Sequence, residues 1–185
     1  MKTEDEIAIE KTLSGEASAF GDIVTRHRFA VMRLCLFVCG EHDTASNMVK
    51  RAFLAFANNI VQFRAKGDMH PFLVDAAARE ILLWAKRGSP PVSRIEDNKQ
   101  KLVDSFFIPA DGMANLEGRS VQEFRDYCIR VTEALTKIPS LTKLVVALKL
   151  FETRSFNSIA LVLSIPETEV REHVDLFRKS VLGAN

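Results

Sequence analysis

Residues 164–174, Ser164-Ile165-Pro166-Glu167-Thr168-Glu169-Val170-Arg171-Glu172-His173-Val174, read SIPETEVREHV. From this stretch onward Val170, Val174, Phe177 and Val181 recur at i, i+4, i+7 and i+11, the stripe of an amphipathic helix. The piece before it, SFNSIALVL, reads as a short helix with Ser155 as its N-cap. Two helices joined by a tight Ser-Ile-Pro turn form a helix-turn-helix, a motif whose second helix commonly enters the major groove of DNA. The outward residues are mixed, because Glu167, Glu169 and Glu172 stand against a single Arg171. Acids in a first turn also stabilise the helix dipole, by about 0.3–1 kcal/mol each. A glutamate can accept a bond from cytosine N4, but beside phosphates it repels. Shape and groove chemistry are therefore separate questions.

Outward from this motif, apolar residues keep recurring three or four apart, and long alternating strand-like runs are absent. The pattern predicts an all-α chain. Thr3 and Glu6 form a capping box for a first helix, and Ser14 is a candidate start for the second. That second helix carries Phe20, Ile23, Val24, Val31, Leu34, Cys35 and Val38 on one side, and Gly40 suits its C-cap. Asp43 or Thr44 can cap the next helix, whose apolar face is Met48, Val49, Ala52, Phe53 and Phe56. A polar loop leads to a fourth helix with Pro71 in its first turn. From Gly88 the pattern weakens, and GSPPVSRIEDNKQ reads as a linker. A second helical region resumes near Val121, broken at Pro139 and Ser140, with Leu144, Val145, Leu148 and Phe151 turned inward. The expected division is a helical domain over 1–88, a linker over 89–120 and a helix-turn-helix domain over 121–185.

The chain has 185 residues, 47% of them hydrophobic, enough for a sizeable core. Its 25 basic and 24 acidic residues nearly cancel, so neither half has the excess charge of a strong free-standing DNA binder. The N-terminus, MKTEDEIAIEK, is acidic and polar, and no apolar run is long enough to span a bilayer. With three cysteines and no evident leader, the expectation is a cytoplasmic protein with reduced thiols. Cys35, Cys39 and His42 share a helical spacing, but a closed zinc site needs a fourth ligand, so no metal is expected. His27, between Arg26 and Arg28, reads as a surface residue. No phosphate-binding loop, acid/base pair or other catalytic constellation emerges, and neither an enzyme nor a cofactor is expected.

The order of elements resembles the two-domain alternative sigma factors of bacteria, the extracytoplasmic-function type. Leu135, Ile138 and Pro139, then Phe151-Glu152, Ser155-Phe156 and Ile159-Ala160, then Leu163-Ser164-Ile165-Pro166 and Val170, match that family's promoter-binding domain. Ala19-Phe20, Ala45 to Phe53, Phe72-Leu73 and Ala76-Ala77 match its first domain. The resemblance implies core RNA polymerase, promoter DNA and an anti-sigma factor as partners, and no small-molecule substrate. It assigns core polymerase binding to Asn47, Met48, Lys50 and Arg51. Capture of the minus-ten element falls to Gln62, Arg64, Lys66, His70 and Arg79, where single-stranded bases need cations, amides and planar surfaces. Phe63 and Phe72 read as core. Upstream-element reading falls to Thr168, Glu169, Arg171, Glu172 and His173. The family's polymerase-docking surface is acidic and Gln-bearing, whereas Lys50 and Arg51 bring positive charge here. The alternative function is a sigma-like module that binds an anti-sigma or other regulatory protein without initiating transcription.

Overall fold

A computed structural model describes residues 2–64, 66–88, 133 and 135–182. All regular structure among them is helical: α1 Glu4–Leu13, α2 Ala17–Cys39, α3 His42–Asn58, a single 3-10 turn Ile60–Phe63, α4 His70–Lys86, α5 Ser140–Leu150, α6 Phe156–Leu163 and α7 Glu167–Leu182. The expected linker at 89–120 lies outside the described residues, as does most of the helix expected before Pro139.

Local chemistry accounts for most of the helix ends. The Thr3 hydroxyl accepts from the Glu6 amide and the Glu6 carboxylate accepts from the Thr3 amide, which completes the capping box of α1. Ser14 ends α1 rather than starting α2: its amide donates to the Glu10 carbonyl, and α2 begins at Ala17. Gly40 takes the left-handed conformation at φ 68°, which costs a residue without Cβ nothing and closes α2. Glu41, rather than Asp43 or Thr44, precedes α3. Pro71 lies in the first turn of α4, and the Ser155 hydroxyl caps α6 through the Ser158 amide.

The long helix α2 is the axis of the packing. Helices α1, α3, α4 and α5 all lie against it, and α4 also touches α3, α5 and α6. Ile9, Ile23, Leu34, Leu73 and Ile81 of α1, α2 and α4 are fully buried, as are Leu144, Leu148, Ile159 and Leu163 of α5 and α6. One continuous cluster of buried apolar residues joins them. At full burial each such side chain contributes about 1.5–3 kcal/mol. Helix α7 packs on α5 and α6, with Val170 fully buried and Val174, Phe177 and Val181 half-buried, as the stripe requires. Ser164, at φ 55°, supplies the sharp left-handed turn between α6 and α7.

Candidate functional site

The sequence places Gln62 and Arg79 far apart, but the fold brings both to one cavity. The end of α3, the 3-10 turn and α4 enclose a volume of 540 Å³, lined by Asn59, Gln62, Phe63, Phe72, Asp75 and Arg79 among others. The 3-10 turn reverses the chain here because the Asn59 side chain donates back to the Ala55 carbonyl at 2.8 Å, and the Gln62 amide donates to the Asn59 backbone carbonyl at 2.9 Å. Three aromatic rings back the wall: Phe56 and Phe63 lie 5.1 Å apart between centroids, and Phe63 and Phe72 4.8 Å apart. Phe63 and Phe72, expected in the core, are half-buried and present part of their surface to the cavity. The cavity thus offers planar apolar surface, two carboxamides, a guanidinium and two carboxylates, Asp75 and Glu80. Arg64 and Lys66 are exposed and do not line it.

His70 does not join this cavity. Its Nε2–H donates to Glu152 Oε2 at 2.6 Å, across from α4 to the turn between α5 and α6. Arg33 of α2 approaches the other carboxylate oxygen at 3.6 Å, and no hydrogen bond reaches that buried oxygen. The Glu152 hydrogen bond raises the His70 imidazole above its ordinary value, against the opposing effect of burial. Burial pushes Glu152 up, but the His70 hydrogen bond and the charges of His70, Arg33 and Arg154 outweigh it and hold the carboxyl below its usual range. Two residues on, Arg154 Nη2 donates to Asp75 Oδ1 at 2.8 Å and to the Pro71 carbonyl at 3.2 Å. Burial raises Asp75 despite the neighbouring Arg154 and Arg79 charges. Phe37 and Phe151 meet edge to face beside this cluster, and the Arg33 guanidinium lies 5.0 Å from the Phe151 ring centre.

The residues assigned to polymerase docking are split by burial. Asn47, Lys50 and Arg51 are exposed on α3. Met48 is only 4% exposed and its sulfur accepts from Cys39 Sγ at 3.2 Å, so its packing role accounts for most of its side chain. Arg51 reaches Glu80 of α4 at 3.7 Å. A smaller groove of 240 Å³ runs between them, with Asn47, Met48, Arg51, Leu83, Trp84 and Arg87 on its walls.

On α7 the outward set is smaller than the spacing suggests. Thr168, Arg171 and Glu172 are exposed, and Glu169 partly so. Arg171 Nε donates to Glu167 at 3.1 Å, and its guanidinium lies 4.4 Å from the Phe156 ring centre. His173 turns inward: its side chain is 18% exposed, and Nδ1 pairs with the Thr142 hydroxyl of α5 at 2.9 Å. Its Nε2 is buried without a hydrogen-bond partner, 3.8 Å from Glu169. The i+3 spacing from Val170 places His173 beside the buried stripe, which is why it cannot stand with the groove-facing residues.

His27 is likewise not a free surface group. Its Nε2–H donates to Asp5 at 2.8 Å, and Asp5 also accepts from Arg26 and from the Met69 amide. Asp5, His27 and Asp68 come close enough to suggest a cation site. The Asp5 carboxylate is nevertheless already neutralised by Arg26, so the group is a structural tie between α1, α2 and the segment before α4. Cys35 and Cys39 are buried while His42 is exposed, so these three do not converge.

Glu152, Arg154, Arg33 and Asp75 were given no functional role by the sequence pattern, since their contacts join residues about 80 to 120 positions apart. Comparison of the sequence with protein-family models and with curated protein sequences finds no match to either.

Proposed function

We propose that the chain acts as an alternative sigma factor, with the cavity between α3 and α4 receiving an unstacked base of the minus-ten element. The observation that carries this reading is the convergence of Gln62 and Arg79, chosen from the sequence, on one aromatic-backed cavity with Asn59. Unpaired bases are held by a planar apolar surface, by carboxamides that read edges and by a guanidinium for the phosphate. The exposed Asn47, Lys50 and Arg51 face belongs to the polymerase in this reading, and α7 to the upstream element.

A core-binding assay with promoter DNA and a labelled single-stranded minus-ten oligonucleotide tests the reading. Gln62→Ala and Arg79→Ala each weaken oligonucleotide binding about ten-fold, since one lost base-edge or charged hydrogen bond is worth about 1–3 kcal/mol. Absence of a polymerase complex at micromolar protein overturns the transcriptional role. The second reading, a module that binds a regulatory protein without transcribing, draws support from the pairing of His70 with Glu152 and of His173 with Thr142, which occupies two of the assigned DNA contacts. It predicts folded protein with neither polymerase nor oligonucleotide binding.

A further inference from the structure

We infer that Glu152-Thr153-Arg154 is an intramolecular latch that competes with nucleic acid for the α4 face. This inference rests on the proposed base-capturing role of the cavity beside that face. The turn holds two α4 residues at once: Glu152 takes His70, assigned above to minus-ten DNA, and Arg154 takes Asp75, which lines the cavity. Arg154 Nη2 also takes the Pro71 carbonyl in the first turn of α4. A strand entering the cavity alongside α4 meets the docked turn at His70 and at Asp75.

The latch is built to be releasable. Thr153, between the two contact residues, sits at φ 49°, a left-handed conformation that is a genuine outlier for a β-branched side chain. Only glycine takes this conformation without strain. Glu152 Oε1 is buried with no hydrogen bond, although Arg33 stands 3.6 Å away. An unmet buried acceptor and a strained turn both subtract from docking. Against them stand the His70 and Asp75 bonds and the Phe37–Phe151 edge-to-face contact at 5.0 Å. The titratable and charged groups facing Glu152 are Arg33 of α2, His70 and Asp75 of α4 and Arg154 of its own turn, two guanidiniums and an imidazole around one carboxylate with Asp75 as the second acid.

Two full-length variants with opposite effects test the latch. E152Q/R154Q breaks it with no change in net charge, so a generic gain in affinity for phosphates cannot mimic release. T153G relieves the strained turn and tightens it. A single-stranded oligonucleotide, read by fluorescence anisotropy, binds E152Q/R154Q at least about five-fold more tightly than the parent and T153G about two- to five-fold more weakly, because apparent affinity scales with the open fraction. Small-angle scattering reads the latch without DNA: the radius of gyration of E152Q/R154Q rises and that of T153G does not. If the parent binds oligonucleotide and E152Q/R154Q, still helical by circular dichroism, neither expands nor binds more tightly, the latch is wrong. Should E152Q/R154Q lose its helicity, T153G decides, since unchanged oligonucleotide affinity in that variant also overturns the proposal. If no variant binds oligonucleotide while E152Q/R154Q expands, the turn does hold α4, but its competition with nucleic acid falls together with the base-capturing cavity.

Discussion

Replacing Glu152 by Gln isolates the charge at the contact between α4 and the α5–α6 turn. The Glu152 side chain is 5% exposed and accepts from His70 at 2.6 Å. Glutamine keeps the volume and a carbonyl acceptor for His70, so little but charge is removed. A hydrogen bond to charged groups contributes about 1.5–3 kcal/mol and a neutral one about 0.5–1.5, so the expected cost at pH 6 is about 1–1.5 kcal/mol. The half-exposed Arg33 at 3.6 Å adds little to this. His70 is raised above 6.5, so its contribution is complete below that value and fades as pH rises through the higher folded one. Glu152 is lowered from 4.5, so its contribution is complete above that value and fades as pH falls through the lower folded one. The two charges act together between 4.5 and 6.5. Urea denaturation of parent and E152Q at pH 6 and pH 9 measures this directly. The expected difference shrinks between pH 6 and pH 9. An equal cost at both pH values, or none at pH 6, refutes the charge assignment.

Cys35 and Cys39 resist a thiol reagent in the native state and react after unfolding, because burial raises both thiols, Cys39 to about 12 even with the Lys143 charge nearby; rapid native labelling of either by mass spectrometry contradicts the packing of α2. Asp5→Ala costs about 1–3 kcal/mol, since it leaves the Met69 amide unpaired in a buried site and removes the partner of His27, while the exposed Arg26 keeps Glu4 at 3.7 Å. Burial pushes Asp5 up, but the Met69, His27 and Arg26 bonds outweigh it and lower it below 3.8; its contribution is therefore present above that value and lost as pH falls through the folded one, and the variant shows a flatter acid limb in thermal melts. Arg171→Ala lowers stability by about 1 kcal/mol, from an exposed i,i+4 pair worth about 0.3–0.5 and a ring contact worth about 0.5–1; an unchanged denaturation midpoint contradicts both contacts.

Helix periodicity was the legible part of the fold, because each stripe is set by local spacing. Met48, Val49, Ala52, Phe53 and Phe56 are all buried on one face of α3, and the capping box at Thr3 and Glu6 forms as spaced. Ser14 was misread because a serine hydroxyl serves either end of a helix; here it bonds back to the Lys11 carbonyl and the chain closes α1 instead. Gln62 and Arg79 could be picked from the sequence but not their cavity, which exists only once the 3-10 turn folds the α3–α4 connection back. The α4 contact with Glu152 and Arg154 had no periodic signature at all. Its one local clue was a threonine, flanked by an acid and a base, where a left-handed turn had to form. His27 and His173 each sat in polar-looking surroundings, yet each is drawn inward by a single side-chain partner, Asp5 and Thr142, that no spacing rule connects to it.

These placements narrow what α7 can contribute to DNA recognition. Between Thr168 and His173, Arg171 is the only Lys or Arg, and it is engaged by Glu167 and Phe156. Releasing both contacts costs about 1 kcal/mol, against about 1–3 kcal/mol for one good bidentate base contact, so Arg171 remains available to a groove. His173 is a different case: turning it outward breaks its bond to Thr142 and opens a packed site beside the fully buried Val170. The remaining outward groups are Thr168, Glu169 and Glu172, of which two repel phosphates. One arginine and one threonine supply too little affinity alone for a duplex whose binding is dominated by phosphate neutralisation. In the sigma reading α7 therefore contributes register more than affinity, and useful occupancy depends on a second linked contact, at the α3–α4 cavity or through the polymerase, that raises its effective concentration on the upstream element.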